Sequence, residues 1–226
     1  MSSAFFEGKA ARGYAQRPAR QVPGFADLHR MAVLLMAERV PADGRVLVLG
    51  AGGGLELKAF AEAQSGWTFD GIDPSADMIE LARQTVGDFS GRMRLYEGYI
   101  ESAPEGPFDA ATCLLTLHFV PREQRLDTLN EIRRRLKPGA PFVVAHISFV
   151  QTEPERSTWI SRHVAYGAPE VQDPLQVEKA RQAIGTRLSI LAPQDDEALL
   201  REAGFTDVGL FYAGLSFRGW VAYAPV

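Results

Sequence analysis

A glycine-rich turn between an apolar run and an amphipathic segment constrains this chain more than any other feature. Residues 45–49 (RVLVL) are almost wholly apolar, which is typical of a strand buried on both faces of a parallel sheet. The turn GAGGG occupies residues 50–54, and residues 55–64 then carry apolar positions at helical spacing. The pattern predicts a strand–loop–helix unit whose glycines let the backbone approach a ligand closely.

The same alternation of strand and helix continues along the chain. We expect further strands at residues 68–72, 93–96, 110–115 and 142–147, and helices at 76–86, 122–136 and 194–203. Two β-rich runs, 208–213 and 217–224, flank Gly214 and should form a terminal hairpin. Strands that alternate with helices imply right-handed crossovers, so the sequence predicts an α/β fold with a mostly parallel sheet covered by helices on both faces.

Two segments fall outside this alternation. Residues 1–40 begin polar and then become helical from about Asp27 to Val40. Residues 149–190 contain prolines and two helix-like pieces, around 159–166 and 175–186, in a stretch too long for an ordinary loop. We expect one domain over residues 1–226, with the N-terminal segment over a cleft and the 149–190 segment inserted above the sheet.

Composition excludes several classes of protein. No apolar run approaches the roughly 20 residues that a membrane helix needs, and no secretory signal is evident. A single cysteine, Cys113, excludes an internal disulfide and is expected to be an inert core thiol in a cytoplasmic protein. The net charge of −4 disfavours nucleic acid as the main partner. The scattered histidines support no metal site.

An acidic residue strengthens the ligand-binding interpretation of the glycine turn. Asp73 ends the second predicted strand, where its carboxylate could accept hydrogen bonds from both ribose hydroxyls of an adenine nucleoside. A dinucleotide fingerprint would need glycine where Leu55 stands. Two alternatives remain open: Gly52 and Gly54 serve only strand–helix packing, or Asp73 only caps the helix that begins near Pro74.

Four segments in order resemble the signature segments of class I S-adenosylmethionine (SAM) methyltransferases. They are VLVLGAGGGLELKAFA, GIDPSADMIELAR, FDAATCLLTLHFV and EIRRRLKPGAPFVVAHIS. The resemblance implies a Rossmann-like, seven-stranded sheet with an antiparallel last strand, in which the glycines hold the amino-acid part of SAM, Asp73 holds the ribose, and Met78, Tyr99 and Ile100 border the adenine. The cofactor-binding residues that it implies are Gly50, Ala51, Gly52, Gly54, Asp73, Pro74, Met78, Tyr99, Ile100 and Leu115.

A narrower resemblance concerns three other parts of the chain. The segments VPGFADLHRMAVLL and LTLHFVPREQR, and the spacing from Arg181 to Gly204-Phe205, are similar to the carboxy-SAM synthase branch linked to wobble-uridine modification. In that branch an arginine at the Arg181 position pairs with the extra carboxylate of carboxy-SAM. The resemblance therefore implies Arg181 as a carboxylate-binding residue.

The remaining candidates surround the expected pocket for a methyl acceptor. His118 follows the fourth strand and is either a proton acceptor or a packing residue. His163 and Tyr166 share a helix face with Trp159, which lines a pocket or packs on the sheet. With Tyr14 and Arg181, His163 and Tyr166 complete the expected substrate-binding set. His146 is expected to be a hydrogen-bonded core histidine, and the helix 122–136, with its run Arg133 to Arg135, to be exposed and solvated.

These observations predict a SAM-dependent methyltransferase that transfers a methyl group to oxygen or nitrogen of a small soluble molecule and releases S-adenosylhomocysteine. Holding SAM and the acceptor in line supplies most of the rate acceleration that such a reaction needs. Three alternatives stay open: a carboxy-SAM synthase, an NAD-dependent oxidoreductase, and a non-catalytic SAM-binding subunit. A homodimer is possible in each case.

Overall fold

The computed structural model describes residues 17–169 and 173–226. The helices are α1 (Arg17–Gln21), α2 (Phe25–Ala37), α3 (Leu55–Ala63), α4 (Ala76–Val86), α5 (Arg122–Arg134), α6 (Glu155–Gly167), α7 (Pro174–Arg187) and α8 (Pro193–Glu202). The strands are β1 (Arg45–Leu49), β2 (Thr68–Asp73), β3 (Met93–Glu97), β4 (Ala110–Leu114), β5 (Pro141–Ile147), β6 (Thr206–Gly214) and β7 (Phe217–Tyr223). Within the described residues, no helix is long and apolar enough to cross a membrane.

All seven strands form one sheet, in the order β3-β2-β1-β4-β5-β7-β6. The first five strands are mutually parallel, and β7 runs antiparallel between β5 and β6. The expected seven-stranded α/β fold with its C-terminal hairpin is confirmed. Parallel strands bring their carboxyl ends to one edge, so the turns after β1, β2, β3 and β4 meet there.

Apolar residues on the two faces of the sheet explain why helices cover both. Val46 and Val48 belong to a core that includes residues of α2 and α3, whereas Leu47 and Leu49 belong to a second core with residues of α5 and α8. Successive side chains of β1 therefore pack into two separate cores, one on each face of the sheet. The near-continuous apolar run predicted this burial on both faces.

Two expectations about helices need correction. The N-terminal helix is shifted by two to three residues, because α2 runs from Phe25 to Ala37 rather than from about Asp27 to Val40. The short helix α1 precedes it, and Gly24 between the two adopts a left-handed conformation, with φ 63°. The segment predicted as an exposed helix at 122–136 is not exposed throughout, since Arg125 of α5 and Arg135, which follows α5, are buried. Arg135 donates to the carbonyl oxygens of Glu131 and Pro104, which satisfies its guanidinium away from solvent.

Candidate functional site

The turns after β1, β2 and β3 are tied together by backbone hydrogen bonds. The amides of Gly50 and Ala51 donate to the carbonyl of Ile72 at 2.8 and 3.0 Å. The amide of Gly98 donates to the carbonyl of Asp73 at 3.0 Å. The glycine turn, the Asp73 turn and the turn that carries Tyr99 and Ile100 therefore form one continuous edge of the sheet.

The glycines of the first turn serve different purposes. Gly54 has φ +74°, and a Cβ there would lie 2.9 Å from backbone atoms of Ala82, so this glycine is needed for close packing of the turn on α4. A Cβ on Gly50, at φ +79°, would overlap the Thr116 side chain. Gly52 has neither constraint: a Cβ there would point to Asp73 Oδ2 at 2.8 Å and Met78 Cε at 3.0 Å. The packing alternative therefore describes Gly54, and Gly52 keeps space open beside a carboxylate.

Asp73 is a largely buried carboxylate at the end of β2. Its Oδ1 accepts a hydrogen bond from the Ser75 amide at 3.0 Å, and the Gly52 amide also donates to the carboxylate. Burial raises the pKa of Asp73 to about 6, against the opposing effect of these two donors. Asp73 does not cap α4, because Ser75 is the N-cap and its Oγ accepts from the Met78 amide. The capping alternative for Asp73 is therefore wrong.

The other residues expected at the cofactor lie along the same edge. Met78 and Ile100 are buried, Pro74 and Leu115 are half-buried, and Tyr99 is 40% exposed. Leu115 follows β4 with φ 57°, a conformation that few residues other than glycine adopt. Such outliers persist only where the surroundings fix them, and they cluster at functional sites. The structure brings these residues close to the glycine turn and Asp73, and their roles toward a cofactor stay predictions.

A cavity of about 270 Å³ lies beyond the end of β4. Among the described residues its lining is Arg17, Pro18, Gln21, Val22, Leu115, His118, Phe119, Ile147, His163, Ala183, Ile184, Leu188 and Phe217. Its walls thus include both segments that fall outside the sheet alternation. The cavity adjoins the glycine turn, since Leu115 is followed by Thr116, whose side chain packs over Gly50.

His118, in the turn after β4, lines this cavity as a neutral hydrogen-bond donor. The amide of Ile147 donates to His118 Nδ1 at 3.3 Å, so the ring proton resides on Nε2. Burial lowers the pKa of His118 well below its usual value, and the nearby His146, Arg125 and His163 lower it further. This geometry contradicts the alternative in which His118 accepts a proton from the substrate. The one lone pair of the neutral ring, on Nδ1, already accepts the hydrogen bond from the Ile147 amide.

The helix face that carries Trp159, His163 and Tyr166 is divided between three environments. His163 lines the cavity, and its Nδ1 lies 2.7 Å from Ser216 Oγ. Burial lowers the pKa of His163 to about 4. Trp159 stacks on Phe149, with ring centroids 6.3 Å apart, and Tyr166 is 44% exposed. Tyr14 lies outside the described residues.

Arg181 lies in a different place from the other expected substrate residues. It is on α7, with its Nε 3.7 Å from Glu178 Oε2, and it lines a separate polar cleft against Arg156 of α6. It does not line the cavity that His118 and His163 share. The structure therefore separates Arg181 from the two histidines.

Arg125 is a fully buried cation behind His118 that was not predicted from the sequence. Its Nη1 lies 2.9 Å from Asp196 Oδ1, and it donates to the carbonyls of Val120 and Ser189. The amide of Ser189 in turn donates to the carbonyl of His118 at 2.9 Å. Arg125 therefore fixes the end of α7 against the His118 turn. The signal was present in the sequence, since Arg125, Leu129 and Ile132 follow the spacing of one buried helix face.

Two further buried polar groups lie in the core. His146 was expected to be a hydrogen-bonded core histidine; its Nε2 lies 3.1 Å from Asp196 Oδ1, and its Nδ1 has no partner among the described residues. Glu56, in the first turn of α3, was not singled out. It accepts a hydrogen bond from Thr112 Oγ1, and burial raises its pKa to about 8.

Comparison with known proteins agrees with this geometry. Residues 47–142 match the family model of a methyltransferase domain. A carboxy-S-adenosyl-L-methionine synthase of Chromohalobacter salexigens is 25% identical over 225 residues, which cover 96% of this chain and 82% of that protein. In this relative and in others of the same name the similarity extends over nearly the whole chain.

Solved methyltransferases share the fold. The apo structure of the SAM-dependent methyltransferase SibL aligns with a TM-score of 0.65 and 20% identity over 98% of this chain. Human N-acetylserotonin methyltransferase in complex with SAM aligns with a TM-score of 0.62 and 17% identity over 99% of this chain. The chain spans only 58% and 59% of those two structures. Residues 47–142 thus match a methyltransferase-domain model, the fold is that of the solved methyltransferases, and the chain is similar to carboxy-SAM synthases over nearly its whole length.

Proposed function

We propose that this protein binds SAM along the turns after β1, β2 and β3 and transfers its methyl group to an oxygen or nitrogen atom of a small molecule held in the His118 cavity. The observation that carries the proposal is the adjacency of the two places. Thr116 packs over Gly50 of the glycine turn, and the preceding residue, Leu115, is part of the cavity wall. A donor on one side of this wall and an acceptor on the other would be neighbours.

The residues at the glycine turn fit the nucleoside and amino-acid parts of SAM. Gly52 leaves open the space between the turn and the Asp73 carboxylate, which a side chain would fill. Asp73 can accept two hydrogen bonds from a ribose diol, and hydrogen bonds to a charged acceptor are the stronger kind. Bound SAM supplies a methyl group already activated on a sulfonium. The chain's own residues need to bind the two reactants, orient them and exclude water.

Orientation alone can account for much of the catalysis. Positioning two reactants correctly lowers the barrier by roughly 7–11 kcal/mol. General base catalysis typically accelerates a reaction by about 10²- to 10⁴-fold, which is a smaller effect. Apolar walls such as Phe119 and Ile147 exclude water from the cavity, and His118 offers a donor to orient the acceptor. The absence of a proton acceptor at His118 is therefore compatible with methyl transfer.

Calorimetry of the purified protein with S-adenosylhomocysteine and with NAD tests the cofactor assignment. We expect S-adenosylhomocysteine to bind and NAD not to bind. Incubation with SAM carrying a labelled methyl group and a library of small oxygen and nitrogen acceptors then tests the transfer. Failure of S-adenosylhomocysteine to bind the wild-type protein would refute the proposal. Binding without label transfer to any acceptor would support a non-catalytic subunit.

A second candidate function is the formation of carboxy-SAM, which the names of the sequence relatives favour. The resemblance assigns Arg181 to the additional carboxylate. The pairing of Arg181 with Glu178 in a cleft apart from His118 weighs against that role in this chain. Mass spectrometry of the small molecules that co-purify decides between the two candidates. A carboxylated sulfonium would favour carboxy-SAM formation, and unmodified SAM or S-adenosylhomocysteine would favour methyl transfer.

A further inference from the structure

We infer that the methyl acceptor is a small, largely apolar carboxylate, whose charged oxygens are bound in the His118 cavity by the Arg17 guanidinium and the Nε2–H of His118. This inference rests on the proposed function and narrows its acceptor from any oxygen or nitrogen nucleophile to one chemical class.

The lining sets the size and polarity of the acceptor. A volume of about 270 Å³ is near the lower end for ligand pockets, so the acceptor is small. The larger part of the described lining is apolar and comes from separate parts of the chain, for example from Val22, Phe119, Ile184 and Phe217. An acceptor that fills this space buries a hydrocarbon body against these walls.

The charge of the lining selects an anion. Among the described lining residues, Arg17 carries a charge at neutral pH and none is Asp or Glu. His118 and His163 are neutral there, because burial lowers the pKa of both. A protonated amine would meet Arg17 and find no carboxylate in this part of the cavity. A carboxylate would find a guanidinium, whose planar fork matches its two oxygens.

The hydrogen bonds of the two imidazoles explain why the acceptor should arrive already ionised. His118 Nδ1 accepts from the Ile147 amide, so its remaining nitrogen donates. His163 is engaged with Ser216 Oγ at 2.7 Å, and a pKa of about 4 makes it a poor proton acceptor. A neutral hydroxyl or a protonated amine would have to lose a proton, whereas a carboxylate has none to lose at neutral pH.

The chemistry balances without a proton acceptor. One carboxylate oxygen forms a bond to the methyl carbon while the carbon–sulfur bond of SAM breaks, and the bonding pair stays on sulfur. The products are a neutral methyl ester and S-adenosylhomocysteine. The charged oxygen and the sulfonium neutralise each other, so the reaction gains from the apolar surroundings of the cavity.

Three probes that share one scaffold test the inference by binding alone: 3-phenylpropanoate, 3-phenylpropanamide and 3-phenylpropan-1-amine. Each is titrated by calorimetry into the protein saturated with S-adenosylhomocysteine. We expect the carboxylate to bind at least tenfold more tightly than the amide and the amine to bind weakest. Arg17→Gln should weaken the carboxylate about tenfold and leave the amide unchanged. Arg20→Gln is the matched control, because Arg20 is an exposed residue of the same helix α1 that is not part of the described lining.

Each other outcome has a definite meaning. An amine or amide that binds as tightly as the carboxylate, or a carboxylate that does not bind at all, overturns the inference. Equal effects of Arg17→Gln and Arg20→Gln also overturn it, because the carboxylate would then respond only to the general charge of α1. If the wild-type protein fails to bind S-adenosylhomocysteine in the first step, the proposed function itself fails, which separates the two results.

Discussion

Gly52 and Asp73 belong to successive strand–helix turns, yet a Cβ on residue 52 would come within 2.8 Å of Asp73 Oδ2. We therefore expect Gly52→Val to abolish binding of S-adenosylhomocysteine while the fold survives. Among the described residues, the new side chain would otherwise meet the flexible end of the Met78 side chain, and Gly52 has no left-handed φ that valine would have to adopt. Calorimetry measures the loss, and circular dichroism checks the fold.

Gly91→Val is the control for this substitution. None of the described residues lies within 4 Å of a Cβ at Gly91, and its φ is not left-handed either. The control should bind S-adenosylhomocysteine normally. Normal binding by Gly52→Val itself would remove the glycine turn from the site.

Asp73 should make ligand binding depend on pH. Burial raises its pKa to about 6, so the carboxylate that accepts hydrogen bonds from the ribose is fully formed only above that pH. We expect the affinity for S-adenosylhomocysteine to be constant above about pH 7 and to fall as the pH drops below 6. Asp73→Ala should lose about 2–4 kcal/mol of binding at pH 7.5, from two charge-assisted hydrogen bonds.

The check on Asp73 is calorimetry of wild type and variant between pH 5 and 8. In Asp73→Asn the side chain does not titrate in this range, and the dependence below pH 6 should flatten. A variant whose affinity falls in parallel with that of the wild type would assign the titration to another group.

His118 is expected to act as a donor, and His118→Asn isolates that role. The asparagine oxygen can replace Nδ1 as the acceptor for the Ile147 amide, whereas the donor at Nε2 is lost. We expect thermal stability to change by no more than about 1 kcal/mol, while binding of 3-phenylpropanoate weakens severalfold and binding of S-adenosylhomocysteine stays unchanged. Unchanged binding of the carboxylate would remove His118 from the acceptor site.

Glu56 should destabilise the protein at neutral pH. Its folded pKa of about 8 lies above the unfolded value of 4.5, so the folded state holds a proton that the unfolded state has released. Stability from this group is therefore complete below pH 4.5 and declines as the pH rises toward 8. Glu56→Gln keeps an acceptor for Thr112 Oγ1 and should raise the free energy of unfolding by about 2–3 kcal/mol at pH 7.

Urea denaturation of both proteins at pH 5 and pH 8 measures this effect. The advantage of the variant should be small at pH 5 and large at pH 8. A difference that does not grow with pH would show that Glu56 is ionised in the folded protein, with a partner that offsets its burial.

The order and kind of the elements could be predicted from the sequence because each strand and helix carries its own local pattern. The predicted strand at 45–49 and helix at 76–86 coincide with β1 and α4. The positions of Gly52 and Asp73 at one edge also follow from the sequence, since parallel strands place consecutive turns side by side. The sequence was sufficient wherever a structural feature is determined by the spacing of residues along the chain.

The surroundings of individual charged and polar groups could not be predicted in this way. The spacing places Arg125 on the buried face of its helix, but it could not show that the partner of Arg125 is Asp196, 71 residues later in the chain. The ring proton of His118 depends on the backbone of Ile147, from a neighbouring strand. Which cleft Arg181 faces depends on how α6 and α7 pack together. Each of these is a property of tertiary contacts rather than of sequence spacing.

The hydrogen bond from the Ser189 amide to the His118 carbonyl makes a single backbone proton a reporter of the cavity. Ser189 follows Leu188, a residue of the cavity wall, and its own carbonyl is bound to the buried Arg125. The amide can exchange with solvent only when the end of α7 separates from the His118 turn. Its exchange rate in deuterated water therefore measures how often this wall opens. A ligand that fills the cavity would slow that exchange, even when it causes no other visible change in the protein.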